Sequence, residues 1–112
     1  MVKVIDRAEL RSMLVRDENI VLIDALPTTA YARGHIPGAI SIPSEDIIVR
    51  APKMLTDRST VIVVYCKNGP CRRSERAAAR LESLGYTQVC DYHLGRDDWS
   101  EAGLPIEMAV SP

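Results

Sequence analysis

No segment of this chain of 112 residues stays apolar long enough to cross a bilayer; the longest aliphatic runs, Ile20–Ile23 and Val61–Val64, are strand-sized. Met1-Val-Lys-Val-Ile-Asp6 lacks the apolar core of a secretory signal, so a cytoplasmic setting without membrane association is expected. Cysteine is scarce. Cys66, Cys71 and Cys90 are too few, and odd in number, for a disulfide scaffold. They form no CxxC pair and have no histidine at zinc-finger spacing, so no metal site is expected. Net charge is also nearly absent, at −1, which removes any global electrostatic case for nucleic acid or an anionic membrane. Any preference for an anion must be local. Repeats, low-complexity tracts and linkers are lacking too, and the length fits one domain over residues 1–112.

What is there alternates. Asp6-Arg-Ala-Glu9 has the form of a capping box, with Ile5 and Leu10 placed for a hydrophobic staple. Leu10, Met13 and Leu14 then share a helical face that runs to about Arg16. Ile20–Asp24 is a continuously apolar strand of the kind buried on both sides in a parallel sheet. A short helix is predicted from Pro27 to Arg33, stopped by Gly34, then a brief strand over Ala39–Ile42. Ser44 can cap another short helix reaching Val49. Thr60–Tyr65 is the clearest strand, rich in β-branched residues. Arg72–Leu84 reads as a helix with Ala77, Leu81 and Leu84 on one face and Gly85 just past its end. Gln88–Tyr92 is a further strand, and Trp99 sits in a last short helix ending near Gly103. Strands alternating with helices predict an α/β domain with a mainly parallel sheet. In such sheets ligands lie beyond the carboxyl ends of the strands, which points to the residues following Asp24 and those following Tyr65.

The second position carries the chemistry. Cys66-Lys-Asn-Gly-Pro-Cys-Arg-Arg-Ser74 follows the strongest strand and precedes a helix. Amides of such a turn and of the first helical turn have no intrahelical partner, and the helix dipole adds positive potential. Lys67, Arg72 and Arg73 add three cations. A thiol placed there is expected to lose its proton readily and to act as a nucleophile. The competing reading is a small buried residue at a strand end. Candidate site residues are therefore Cys66 as nucleophile, with Lys67, Asn68, Gly69, Cys71, Arg72 and Arg73 around the anion.

Leu22-Ile-Asp24 followed by Tyr31-Ala-Arg-Gly-His-Ile-Pro-Gly-Ala39 resembles the N-terminal signature of the rhodanese family. Cys66–Ser74 with Ala77–Gly85 resembles its active-site loop and following helix, and Leu94-Gly95, Trp99 and Ala102-Gly-Leu-Pro105 its C-terminal signature. The resemblance implies a rhodanese-like α/β fold, with a central mainly parallel sheet flanked by helices on both faces. It also implies sulfurtransfer without a cofactor. A small sulfur-donor anion such as thiosulfate, or a persulfide-carrying protein, gives a sulfane sulfur to Cys66, which passes it from a persulfide to cyanide or an acceptor thiol. Lys67 and Arg72 or Arg73 then orient the anion, and backbone amides between Lys67 and Arg72, except that of Pro70, form the cradle.

The loop is longer than the family's usual one. Cys66-x5-Arg72 also satisfies the spacing of phosphatase and arsenate-reductase relatives on the same fold, and that chemistry is the alternative. Pro70, which offers no amide, and Tyr65 before the cysteine speak against it. A non-catalytic module that binds a protein partner is a third reading, and the retained cysteine argues against it. Cys71 is either a resolving thiol, within disulfide reach across the turn, or a spare cysteine at the helix start. The sequence also departs from the family at Leu26, Ala30 and Arg96, and Arg96 is placed to reach the mouth of the site. His35 is expected to bond nearby backbone, Asp24 to cap the turn after its strand, Cys90 to sit in the core, and Trp99 to pack the last helix.

Overall fold

The computed structural model describes residues 1–109. Strand β1 (Lys3–Ile5) leads into α1 (Arg7–Arg16), β2 (Val21–Asp24), α2 (Thr28–Arg33) and β3 (Ile40–Ser41). A 3-10 turn at Ser44–Asp46 runs into α3 (Ile47–Met54), followed by β4 (Val61–Tyr65), α4 (Arg73–Ser83), β5 (Gln88–Tyr92) and α5 (Gly95–Glu101). The strands form one sheet in the order β1-β5-β4-β2-β3, and every pairing is parallel.

Alternation along the strands builds a core on each face. Ile62 and Val64 of β4 point with Ile23 toward Ile47 and Ala51 of α3 and Ala77, Ala78 and Leu81 of α4. Val63 and Tyr65 point the other way with Leu22, toward Leu10 of α1 and Trp99 of α5. Helices therefore cover both faces, and β4 at the centre is fully buried from Ile62 onward.

The local signals act where the sequence places them. Asp6 caps α1 by accepting the Glu9 amide at 2.8 Å, and Ile5 and Leu10 are both buried beside it. Gly85 adopts φ +94° after α4, where its amide bonds Glu82 O at 3.0 Å and the Tyr86 amide bonds Leu81 O at 3.2 Å. This is a Schellman closure, with Tyr86 and Leu81 in contact in the core as its hydrophobic accompaniment.

Three features differ from expectation. The sheet begins with β1, whose three residues pair with β5. The helix after Ser44 does not stop at Val49 but continues through Pro52 to Met54. Burial of Ile47 and Ala51 on one face holds that helix despite the lost amide. Ser44 makes no cap; its hydroxyl and carbonyl instead accept from Arg80 of α4, each at 2.7 Å.

Candidate active site

The carboxyl ends of β2, β4 and β5 lie side by side, and Cys66 follows the last residue of β4. Its position is fixed from two directions. Tyr65, one residue earlier and buried, donates its hydroxyl to Asp24 Oδ2 at 2.9 Å and accepts the Ile36 amide at 3.0 Å. Asp24 Oδ1 accepts the Leu26 amide at 2.9 Å, so Asp24 closes its turn as expected and also braces β4. Burial raises the Asp24 carboxyl above its ordinary range, against the lowering effect of these two hydrogen bonds.

From the other side, the start of α5 grips the loop. The amides of Arg96 and Asp97 donate to the carbonyls of Cys66 and Lys67, both at 2.9 Å. Gly95 makes this approach possible, for it stands at φ +70° and a β-carbon on it would lie 2.5 Å from the Cys66 carbonyl oxygen. In the sequence the clamp leaves a single trace, Gly95 after Leu94; the amides that make it become visible only in the fold.

Within the loop, Asn68 accepts the Cys71 amide through its carbonyl at 3.1 Å and through its side chain at 3.2 Å. The turn folds Cys71 back over Cys66. Cys66 Sγ lies 3.5 Å from the Cys71 carbonyl and 3.5 Å from Ser74 Oγ, and the residue has no solvent-exposed surface.

The charge distribution reverses one expectation. Burial pushes the Cys66 thiol up, and the hydrogen bond to Cys71 adds to it; the Ser74 hydroxyl and amide offset this only in part. Burial also acts to raise Cys71, but hydrogen bonds from Cys66 and from the amides of Lys67 and Arg73, with the Arg73 charge, bring it below the ordinary thiol value. The loop amides therefore do face inward, and in this arrangement the sulfur they favour as an anion is that of Cys71.

The cations are also placed differently from the simple picture. Arg73 donates Nε to the Ala25 carbonyl at 2.9 Å and Nη2 to Glu45 at 2.6 Å, which ties α4 to the end of β2. Arg72 is exposed and pairs with Glu75 at 3.5 Å. Lys67 is exposed at the mouth, and His93 Nε2 lies beside Gly69, near enough that a β-carbon there would stand 3.6 Å from it. Arg96 does not reach the mouth. Its guanidinium bonds the carbonyls of Ala30 and Gly34 at 3.4 and 3.3 Å, filling space beside α2.

The remaining polar residues fall as expected of structural groups. His35 is buried, stacks on Tyr31 and bonds the Tyr31 carbonyl through Nδ1 at 3.0 Å. Trp99 packs in the core with Nε1 donating to the Pro105 carbonyl at 2.8 Å. Cys90 is half-buried in β5, against the core on the α1 face. Asp91, which no spacing in the sequence singles out, is buried beside Ser74, and one of its carboxylate oxygens has no partner among the described residues.

Comparison with known proteins agrees with this architecture. A sulfurtransferase from Allochromatium vinosum is 35% identical over 106 residues, covering 95% of each chain. The thiosulfate sulfurtransferase PspE of Escherichia coli K12 is 34% identical over 67 residues, or 60% of this chain and 62% of its own. The crystal structure of the BH2092 protein from Bacillus halodurans superposes with a TM-score of 0.86 at 31% identity, over 95% of this chain and 77% of that one. The family model for the rhodanese-like domain matches residues 6–102. With its five parallel strands, two-faced helical cover and a cysteine closing the central strand, the chain belongs to the rhodanese-like domain family.

Proposed function

We propose that this chain is a sulfurtransferase that carries a sulfane sulfur on Cys66. The observation that bears most weight is the position of Cys66. It follows directly on the last residue of the central strand β4, in a loop that folds back over it and leads into α4. Sulfurtransferase names among relatives that align over most of the chain support the same reaction class.

A Cys66 thiolate attacks the outer sulfur of thiosulfate, the sulfur–sulfur bond of the donor breaks, and sulfite leaves with the electron pair. Cys66 then bears a persulfide, and cyanide or an acceptor thiolate takes its outer sulfur and restores the thiolate. The donor is a small anion of this kind or a persulfide on another protein. For a donor to reach Cys66, Cys71 must move off it, and the amides of Lys67 and Arg73 that now meet Cys71 become available to the donor's oxygens. Asn68 and Gly69 shape the turn, Lys67 supplies charge at the mouth, and Arg73 holds the loop's end against β2.

Steady-state thiocyanate formation from thiosulfate and cyanide tests this reading, run beside hydrolysis of p-nitrophenyl phosphate. Thiocyanate formation that disappears in Cys66→Ala is expected. Phosphate release without thiocyanate would transfer the site to the phosphatase reading.

A further inference from the structure

The two sulfurs of the loop are neighbours, and they differ in kind. Cys66 is enclosed, while Cys71 is half-exposed and belongs to the same turn. The closure of that turn is specific: Asn68 accepts the Cys71 amide twice, and Cys66 Sγ sits 3.5 Å from the Cys71 carbonyl. A sulfur added to Cys66 is therefore carried into the immediate surroundings of a second thiol, before any acceptor from solution reaches it.

We propose that Cys71 is the resolving thiol of this site: its sulfur attacks Sγ of persulfidated Cys66, closing a Cys66–Cys71 disulfide within the loop and expelling the outer sulfur as hydrosulfide. This rests on the persulfide reading above. In the step, the sulfur–sulfur bond of the persulfide breaks and that between the two cysteines forms. The outer sulfur leaves with the bonding electron pair and is reduced to sulfide, and the Cys71 sulfur is oxidised. No outside oxidant is needed. Reopening the loop takes two electrons from a thiol or dithiol reductant.

Attack on the inner sulfur rather than the outer one follows from the leaving groups. Attack on the outer sulfur would move the persulfide to Cys71 and expel the Cys66 thiolate into a buried position that disfavours its charge. Attack on Sγ expels hydrosulfide, a weaker base than an alkyl thiolate. The attacking sulfur is the half-exposed one, whose thiol the loop brings below its ordinary value. A consequence follows for function. When an external acceptor is present the sulfur goes to it; when none is, the site discharges sulfide and locks until reduced.

The test is anaerobic treatment of the full chain with thiosulfate, without reductant, followed by alkylation, peptide mass mapping and a sulfide assay. For the unsubstituted protein a Cys66–Cys71 disulfide and a near-stoichiometric release of sulfide are expected. For Cys71→Ser and Cys71→Ala, one extra sulfur on Cys66 and no sulfide are expected. Cys90→Ser, altered within β5, should behave as the unsubstituted protein does. Retention of the extra sulfur by the unsubstituted protein, or its recovery on Cys71, would overturn the resolving role while leaving the persulfide reading intact. Failure of every form to take up sulfur or to close the disulfide would remove both.

Discussion

Gly95 and Cys66 meet so closely that a β-carbon on Gly95 would stand 2.5 Å from the Cys66 carbonyl oxygen. The contact lets the first amides of α5 hold the carbonyls of Cys66 and Lys67, which sets the direction in which the loop leaves β4. Gly95→Ala meets backbone on one side and carries a side chain at φ +70° on the other. It should cost about 2–4 kcal/mol of stability and lower sulfurtransfer more than the folded fraction alone explains. Denaturant titration beside a thiosulfate assay at a temperature where the variant stays folded checks both. A variant as stable and as active as the unsubstituted chain would show that the clamp does not set the loop.

Asp24 and Tyr65 join the ends of β2 and β4 through a buried hydrogen bond, and Ile36 completes the network through its amide. The Tyr65 phenol is pushed well above its ordinary value by burial and then by the Asp24 charge, so it remains a donor. Asp24→Asn presents an amide donor where Tyr65 needs an acceptor, or else loses the bond to Leu26. A loss of about 1–3 kcal/mol is expected from urea denaturation, and Asp24→Leu should lose more. An unchanged midpoint for Asp24→Asn would contradict the bracing role.

Asp91 supplies a pH dependence. Burial raises its carboxyl, against the lowering effects of Ser74 and His93, while the Glu75 charge adds to the rise. A carboxyl raised in the folded state holds its proton after the unfolded chain has released its own. The folded state then loses relative stability as pH climbs through the folded value. Asp91→Asn removes this effect. Its stability relative to the unsubstituted protein should therefore improve as pH rises above the ordinary carboxyl value of about 4, as measured by denaturation at each pH. Parallel curves would show that Asp91 is not strained by its charge.

Much of this fold is legible where a local signal and the tertiary demand coincide. Asp6 with Glu9, Val61–Tyr65, and Leu81 with Gly85 and Tyr86 each carry a propensity that the packing also requires. Strand β1 is not legible, because Lys3-Val4-Ile5 is too short to show a period and its partner β5 lies at the far end of the chain. The extension of α3 is hidden by Pro52, whose missing amide signals a break that burial of Ile47 and Ala51 overrides. At the site, the cysteine, the turn and the inward amides are readable from the order of residue types around Gly69 and Pro70. The ionisation order is not. It depends on Asn68 folding Cys71 over Cys66, a contact between side chain and backbone that spacing alone does not fix. The role of Arg73 depends likewise on Glu45 and Ala25, a charge and a carbonyl supplied by other elements, while Arg72 pairs locally with Glu75 three residues on.

The most direct test of Cys66 as the sulfur carrier is sulfite release when the protein is mixed with thiosulfate and no acceptor is present. A burst approaching one sulfite per chain is expected, retained in Cys90→Ser and abolished in Cys66→Ala, where Cys71 and Cys90 remain. A burst of the same size from Cys66→Ala, or none from the unsubstituted chain in its reduced state, would contradict it.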